Sequence, residues 1–265
     1  MALHFRSFSS GSGGNCYLIK SEKTALLVDV GISGRRIFDN LEKAETRADD
    51  LAAVLITHEH MDHIKSLRTM TRKIPRVLAY ANRGTWNHLR EMVKEEQRAV
   101  FETGAAFAVG DILVKPFPIC HDASEPVGFS FRAGGGQISL LTDTGCLNSA
   151  IFEEIKEADL LILEANHDVE MLKFGRYPWF LKRRILGESG HLSNADTAAV
   201  ICRLLAETKK RRHILLAHLS KENNFPEMAY QTIKNALEES NYFIDENLCL
   251  QTIARDEMSA LYTVC

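Results

Sequence analysis

Three histidines and one aspartate lie within six consecutive positions of this sequence, between His58 and His63. The apolar run Leu51–Ile56 precedes them and has the composition of a buried strand. Side chains two positions apart point the same way in extended chain, so His58 and His60 can converge on one metal ion. A turn towards the next predicted helix would let Asp62 and His63 face a second ion.

Imidazole and carboxylate groups suit zinc, manganese or iron better than calcium or magnesium alone. The cluster therefore predicts a centre with two divalent ions of one of these three kinds. The alternative is a polar loop whose histidines are solvated. The density of ligand-type residues argues against that alternative.

Around this cluster the sequence alternates between strand and helix patterns, which predicts an α/β layered fold with two halves. Asp29 and His58 follow predicted strands in the first half, and Asp143 and His218 follow predicted strands in the second. Asn194 is the predicted N-cap of a later helix. The predicted strands are Cys16–Ile19, Ala25–Val28, Leu51–Thr57, Val77–Tyr80, Ile112–Val114, Ile138–Leu141, Leu160–Glu164 and Ile214–Ala217. The predicted helices are Arg35–Leu41, Lys65–Arg72, Trp86–Glu96, Ala195–Thr208 and Pro226–Glu239.

The composition is that of an ordinary globular protein, with 45% hydrophobic and 25% charged residues and a formal net charge of -3. Residues 1–265 are predicted to form a single domain. The segment Met1–Ser10 lacks the features of a secretory signal, and no apolar run is long enough to suggest a membrane span. These observations predict a cytoplasmic protein without membrane contact, and its six scattered cysteines are expected to be reduced thiols.

The pattern His-x-His-x-Asp-His after an apolar strand resembles the signature of the metallo-β-lactamase superfamily. The resemblance implies an αββα sandwich, in which two mixed sheets are flanked by helices and the site lies at one edge. The superfamily pattern contains four further residues after strands or in mid-chain. Residues in the matching order are Asp29, His121, Asp143 and His218.

The resemblance also implies how the ligands are divided. It places His58, His60 and His121 on one ion. It places Asp62, His63 and His218 on the other, with Asp143 bridging both. Asp29 would orient loops or ligand imidazoles. Each of these residues taken alone has an ordinary alternative, such as a cap, a turn residue or a core histidine.

The predicted bridging residue Asp143 narrows the chemistry, because zinc β-lactamases do not bridge their ions with an aspartate here. Thioesterases of the glyoxalase II type, phosphodiesterases and nucleases remain. His191, in Gly190-His191-Leu192-Ser193-Asn194, resembles a non-ligand histidine that phosphodiesterases and nucleases of the superfamily carry before the last ligand. A free imidazole there can donate a proton to a leaving oxygen. A capping or solvated histidine is the alternative.

Polar residues also follow the apolar strand Leu160–Leu163. Glu164 could hold His191 or a ligand imidazole, and Asn166 and His167 are candidates for substrate contact. The alternative is an ordinary exit from the strand.

Five basic and four aromatic residues interleave between Lys173 and Arg184, and the cations Lys182, Arg183 and Arg184 are candidates for contact with nucleic-acid phosphates. The alternative is a surface helix with its aromatics in the core and its charges in water. The Gly/Ser-rich segment Ser9–Asn15 is interpreted as a hairpin turn, with phosphate contact as the second possibility.

Taken together, these segments resemble the YycJ/WalJ family of the superfamily. The resemblance implies a metal-dependent 5′-to-3′ exonuclease on double-stranded DNA, with mismatch-repair proteins as partners and with Asp62 and His191 in catalytic roles. Three alternatives stay open: a small-molecule phosphodiesterase, a glyoxalase II-like thioesterase, and a metal-binding regulatory protein without turnover.

Overall fold

The computed structural model describes residues 2–265 and consists of two seven-stranded sheets with helices on their outer faces. The first sheet contains, in spatial order, β14 (Tyr262–Val264), β1 (Leu3–Ser9), β2 (Cys16–Lys20), β3 (Ala25–Val28), β4 (Leu51–Leu55), β5 (Leu78–Ala81) and β6 (Arg98–Val100). The second contains β13 (Leu248–Thr252), β12 (Arg212–Ala217), β11 (Leu160–Glu164), β10 (Gly136–Leu141), β9 (Val127–Ala133), β8 (Ile112–Pro118) and β7 (Phe107–Val109).

Helices pack against both sheets and are mostly short. They are α1 (Gly34–Lys43), α2 (Met61–Ile64), α3 (Leu67–Lys73), α4 (Arg83–Leu89), α5 (Ser149–Ile155), α6 (Val169–Phe174), α7 (Trp179–Leu186), α8 (Asn194–Glu207) and α9 (Pro226–Glu239). Within residues 2–265, no helix has both the length and the apolar character that crossing a membrane requires.

Both sheets are mixed. In the first, β1, β2 and β3 are antiparallel neighbours, and β3 to β6 are parallel. In the second, β8, β9 and β10 are antiparallel neighbours, and β10 to β13 are parallel. Because parallel strands end at the same edge of a sheet, the loops after β10, β11 and β12 meet at one edge.

The apolar strands are buried on both faces, which explains their lack of strict polar alternation. In β11, Leu160 and Ile162 belong to the cluster between the sheets, whereas Leu161 and Leu163 pack under the helices. In β3, Leu26 lies between the sheets and Leu27 faces the helices of the first half. The predicted αββα sandwich is therefore confirmed.

The predicted elements differ from the structure mainly at their ends. Each predicted strand overlaps an observed strand. The predicted helix Trp86–Glu96 is instead α4, which begins after the N-cap Asn82 and ends at Leu89. The N-cap of α8 is Ser193 and not Asn194, because the Ser193 hydroxyl accepts a hydrogen bond from the backbone of Asp196 and the Asp196 carboxylate accepts one from the Ser193 backbone.

Two cysteines are joined in a disulfide, so the prediction of six reduced thiols is wrong for this pair. Cys120 and Cys146 lie in the loops after β8 and β10, with their Cα atoms 5.8 Å apart. They are separated by 26 positions in sequence, and only the packing of these two loops brings them together. Cys16, Cys202, Cys249 and Cys265 are free.

Candidate metal centre

The first half of the molecule supplies four candidate ligands from one connected segment. His58 and His60 follow β4 in extended chain, and the single turn α2 carries Asp62 and His63. Nε2 of His58 lies 3.1 Å from Nδ1 of His60, so these two side chains converge as the spacing predicts. The turn is tight, since a Cβ on Gly31 would overlap the carbonyl oxygen of Asp62. Position 31 therefore requires glycine.

The second half supplies its candidate ligands one at a time. His121 follows β8, Asp143 follows β10 and His218 follows β12. Asp143 and His218 both have left-handed backbone conformations, with φ of 59° and 55°. Such conformations are uncommon for residues with a Cβ and are found at functional sites, where surrounding structure maintains them. Here they turn each side chain back towards the sheet edge immediately after its strand.

Three imidazoles form the first cluster. His121 Nε2 lies 3.3 Å from Nδ1 of His60, and the ligand atoms of His58, His60 and His121 are all within 4.8 Å of one another. The outer nitrogen of His121 donates to the carbonyl oxygen of Gly190 (3.3 Å), which leaves Nε2 facing the cluster. Burial, followed by the neighbouring imidazoles, lowers the pKa of His58 well below its usual value. Burial also lowers the pKa of His121, so His58 and His121 favour the neutral form whose lone pair binds a metal.

Asp62, His63 and His218 form the second cluster, again with ligand atoms within 4.8 Å of one another. Asp143 lies beside both clusters. Its Oδ2 is 3.5 Å from Nε2 of His63, and its Oδ1 is 3.5 Å from Nε2 of His218 and 4.0 Å from Nε2 of His121. The structure thus brings together all seven residues that the sequence nominated as ligands, and it also groups His58 with His63 and Asp143 and places Glu164 and His191 beside Asp143 and His218.

The second cluster has a strongly negative environment. Burial opposes a charged imidazole, but Asp143 and Asp29 outweigh it and raise the pKa of His63 to about 10. In the same way, Asp143 and Glu164 raise the pKa of His218 to about 9. Burial also opposes the ionised form of Asp143, yet His218 and His63 hold its pKa well below the usual range. An environment that favours cations to this extent also favours a divalent ion.

The donor set fits a divalent ion for a second reason. Oδ2 of Asp143 and Nε2 of His218 are buried and have no hydrogen-bond partner in the described part of the chain. An unpaired buried polar atom is costly, and coordination to an ion would satisfy both atoms at once. Imidazole nitrogens with carboxylate oxygens are the ligands expected of zinc, manganese or iron.

Asp29 contacts the candidate metal ligand His63 instead of facing the clusters. It follows β3, is fully buried and accepts hydrogen bonds from His63 Nδ1 (2.8 Å) and from the backbone and hydroxyl of Thr57 (3.0 and 2.9 Å). Because Nδ1 of His63 donates to this carboxylate, its Nε2 is directed towards Asp143. A residue that orients a metal-binding histidine makes a contact of this kind, with the ring nitrogen that faces away from the metal.

Glu164, at the end of β11, holds two histidines. Its Oε1 accepts hydrogen bonds from Nδ1 of His218 (2.7 Å) and Nδ1 of His191 (2.9 Å). Its Oε2 accepts from the backbone of Thr144 and Leu192 (2.9 and 3.2 Å). Burial alone would raise the pKa of Glu164, but His191 and His218 lower it to about 2. The carboxylate therefore fixes both imidazoles through their outer nitrogens.

His191 is the more accessible of these two imidazoles. Its side chain is 18% exposed, whereas that of His218 is buried. Nδ1 of His191 lies 3.9 Å from Oδ1 of Asp143, and its ring is 5.3 Å from the His218 ring. With Nδ1 held by Glu164, its other ring nitrogen is available to a substrate beside the clusters.

Asn166 and His167 are buried, which is a correction to their nomination as substrate contacts. The Asn166 amide donates to the carbonyl oxygen of His218 (2.9 Å) and so supports the loop of a candidate ligand. His167 has no hydrogen-bond partner for either ring nitrogen among the described residues, and burial lowers its pKa to about 4. Sequence analysis could not distinguish polar residues at the sheet edge that face inwards from those that face a substrate.

Two of the three nominated cations on α7 are engaged within the protein. Lys182 is buried, and its ammonium group donates to the carbonyl oxygens of Lys173 and Gly175 (both 2.7 Å). Arg184 forms a bidentate pair with Asp122, beside His121. For Lys182 the prediction of phosphate contact is corrected, because a buried ammonium that caps α6 is not available to a ligand. Arg183 is exposed.

Two polar residues that contact the clusters or their loops were not predicted from the sequence. The Asn15 side-chain amide lies 3.1 Å from Nε2 of His63, and the Asn15 backbone donates to Asp62 (2.8 Å). The Ser10 hydroxyl accepts from the backbone of His218 (2.9 Å). Both residues belong to the Gly/Ser-rich turn, so this turn supports the two loops that carry the candidate ligands His63 and His218. The unusual composition of this turn was the feature of the sequence that could have indicated these contacts.

Comparisons with known proteins agree with this geometry. Residues 24–216 match the beta-lactamase superfamily domain. The chain is 40% identical over 249 residues to the exodeoxyribonuclease YycJ of Bacillus anthracis, covering 93% of each chain. It is 41% identical over 238 residues to the exodeoxyribonuclease WalJ of Streptococcus pneumoniae, covering 88% of this chain and 87% of the relative.

Among solved structures, the metallo-β-lactamase-fold protein YhfI of Bacillus subtilis superposes with a TM-score of 0.73, at 15% identity, over 97% of this chain and 99% of YhfI. That likeness concerns the fold alone. The superfamily match and the two curated relatives go further, because they cover most of the sequence. The chain is therefore a hydrolase of the metallo-β-lactamase fold and belongs to the YycJ/WalJ family.

Proposed function

We propose that this protein is a binuclear metal-dependent phosphodiesterase that degrades double-stranded DNA from the 5′ end. The observation that carries the proposal is the pairing of His191 with Glu164 beside Asp143. It places an accessible imidazole, held in one orientation, next to both ligand clusters. Cleavage of a phosphodiester needs a proton for the departing oxygen, and such an imidazole can supply it. The names of the two curated relatives support DNA as the substrate.

In this proposal, His58, His60 and His121 hold one ion and Asp62, His63 and His218 hold the other. Asp143 lies between them, within 4.0 Å of ligand nitrogens from both clusters. Two bound divalent ions would activate a water molecule and polarise the phosphate oxygens. The other requirements of the reaction fall on side chains of the protein.

His191 has the central role among those side chains. Glu164 accepts a hydrogen bond from its Nδ1–H, which fixes the tautomer and directs the other nitrogen towards the substrate. In its protonated form, His191 stabilises and then protonates the departing 3′ oxygen. Glu164 also accepts from Nδ1 of His218, so one carboxylate aligns a ligand and the proton donor. Asp62 is proposed to position the attacking water, because it is the more exposed of the two cluster carboxylates.

A nuclease assay tests this proposal directly. Duplex DNA labelled at the 5′ or the 3′ end is incubated with the protein and manganese, zinc, magnesium or a chelator. We expect metal-dependent release of mononucleotides from the 5′ end and no reaction with chelator. Hydrolysis of a cyclic nucleotide or a glutathione thioester, with no reaction on any DNA, would instead assign the centre to a small-molecule phosphodiesterase or thioesterase. Substoichiometric metal without turnover would indicate a regulatory protein.

The cellular setting of the activity is also part of the proposal. We infer a single-domain protein, residues 1–265, that acts in the cytoplasm on DNA under repair. Mismatch-repair proteins are the proposed partners. Co-purification of such proteins with the tagged chain, dependent on DNA damage and resistant to nuclease treatment, would support a direct contact. Their absence after crosslinking would argue against it.

A further inference from the structure

Large aromatic side chains are exposed along α7 and at the end of α6. The exposed fraction is 62% for Trp179, 69% for Phe180 and 85% for Phe174. The buried positions of α7 are Lys182 and Ile185. This helix therefore buries a lysine and exposes its aromatics, the reverse of an ordinary surface helix and of the alternative considered from sequence. Exposed apolar clusters of this kind mark binding surfaces. We call Trp179 and Phe180 the aromatic face.

Cations accompany the aromatic face. Arg183 is exposed and lies one helical turn from both aromatics, at i+4 from Trp179 and i+3 from Phe180. Arg176 is also exposed, and neither arginine has an acidic partner in the part of the chain that the structure describes. Alternating cations and flat apolar rings complement a nucleic-acid strand, whose phosphates are anionic and whose bases stack on aromatic rings. This charge complementarity favours a nucleic acid over a second copy of the protein.

The aromatic face is connected directly to the catalytic edge. The backbone of His191 donates to the carbonyl oxygen of Ile185 (3.0 Å), and Arg184 pairs with Asp122 beside His121. A helix rises about 1.5 Å per residue, so Trp179 lies about 10 Å from the end of α7 at Leu186. Stacked bases are spaced by about 3.4 Å, and this length corresponds to about three nucleotides.

We propose that Trp179 and Phe180 stack on unpaired bases of the substrate strand, beyond the end of α7 that lies at the catalytic edge. This inference rests on the proposed function and extends it to the form of DNA that the protein binds. Bases within a duplex are stacked on their neighbours and cannot reach the aromatic face. The preferred substrate is therefore a duplex end with a short single-stranded segment, whose sequence matters little because every base has a π-face.

Tryptophan fluorescence can detect this contact. The chain contains two tryptophans. Trp86 is 4% exposed and donates to the carbonyl oxygen of Ala99, so quenching by an oligonucleotide reports on Trp179. The probe is a single-stranded phosphorothioate oligonucleotide, bound to the metal-loaded protein, with an abasic strand of equal length and charge for comparison. We expect strong quenching by the first strand and little by the abasic one. Trp179→Phe should lose the quenching but retain binding measured by anisotropy.

Binding by variants provides the second test. The double variant Trp179→Ala/Phe180→Ala should bind the oligonucleotide at least about 5-fold more weakly, because the loss of one stacked base alone lowers the affinity by about 5- to 150-fold. Phe243→Ala is the matched control. Phe243 is 44% exposed but lies in the loop before β13, at the opposite edge from the centre. Its affinity should equal that of the parent.

Three results would overturn the inference: equal affinity for the abasic strand, unchanged affinity of the double variant, or a dimer that the double variant abolishes and the oligonucleotide does not displace. The last result would assign the aromatic face to self-association. None of these affects metal-dependent cleavage of duplex DNA by the parent protein. Absence of that cleavage would instead contradict the proposed function.

Discussion

Asp29 and Asp143 occupy equivalent positions in the two halves of the molecule but have different surroundings. Each follows a strand of its sheet, has a left-handed backbone conformation (φ of 57° and 59°) and precedes a glycine by two positions. Asp29 accepts three hydrogen bonds from Thr57 and His63. Oδ2 of Asp143 has no such partner in the described chain and faces the histidines. The same local structure thus holds the imidazole of His63 in one half and leaves a carboxylate oxygen free to bind an ion in the other.

The neighbours of the two carboxylates explain this difference. Both are fully buried, which disfavours their ionised forms. For Asp29, burial outweighs the one adjacent imidazole, His63, and the pKa is raised. For Asp143, the nearby imidazoles, His218 and His63 foremost, outweigh burial, and the pKa is held well below its usual value. Asp143 therefore combines a carboxylate held in its ionised form with an oxygen free for coordination, whereas the oxygens of Asp29 already accept hydrogen bonds from Thr57 and His63.

The largest expected loss of hydrolytic activity is at Asp143. We expect Asp143→Asn to remove detectable hydrolysis, because the amide keeps the shape but cannot neutralise two cations. Metal content by plasma mass spectrometry should fall below that of the parent, while the circular dichroism spectrum remains that of a folded αββα protein. If Asp143→Asn keeps both ions and near-parent turnover, Asp143 does not bridge them and the contrast with Asp29 disappears.

The next largest loss of activity is expected at His191, whose Nδ1 donates to the same Glu164 oxygen as Nδ1 of the candidate ligand His218. His191→Ala should lower turnover by about 10²- to 10⁴-fold, the usual contribution of a positioned proton donor, with metal content unchanged. A nitrophenyl phosphodiester, whose leaving group needs no proton, should be affected much less than DNA. Loss of an ion from this variant would instead make His191 a ligand, a placement that its proximity to Asp143, Glu164 and His218 also allows.

An intermediate effect is expected at Asp29. Asp29→Asn should lower metal affinity by about 10- to 100-fold, as is usual for a residue that orients a ligand, and activity should return when metal is added in excess. Titration of the metal-free variant, followed by activity and by ion content, measures both quantities. Activity that stays absent at saturating metal would mean that Asp29 acts on the reaction itself and not through His63.

The residues of the candidate site were predictable from the sequence where they lie close together in it, and were not where their contacts join distant segments. The candidate ligands His58, His60, Asp62 and His63 lie within six positions and were visible directly in the sequence. His121 and His218 each stand alone after a strand and were identified only through resemblance to a family pattern. The burial of Lys182 and the contact of Asn15 with His63 were not predictable, because each depends on packing between segments distant in sequence. An α/β layered fold followed from alternating strand and helix patterns, and the αββα arrangement followed from the family resemblance, whereas element ends depended on caps such as Ser193.

The smallest effect is expected at Thr57, whose hydroxyl group is part of what distinguishes the surroundings of Asp29 from those of Asp143. Thr57→Val keeps the shape of the side chain but removes its hydrogen bond to Oδ2 of Asp29 and its hydrogen-bond contact with Nδ1 of His58 (3.0 Å). Asp29 still accepts from the Thr57 backbone and from His63, so the ligand should stay oriented. We expect a loss of about 1–3 kcal/mol in the free energy of unfolding, the usual contribution of two hydrogen bonds. Urea denaturation of the metal-free protein measures this change, and Thr57→Ser is the matched control that retains the hydroxyl. A loss of metal affinity as large as that of Asp29→Asn would show that the hydroxyl, and not the carboxylate, sets the orientation of His63.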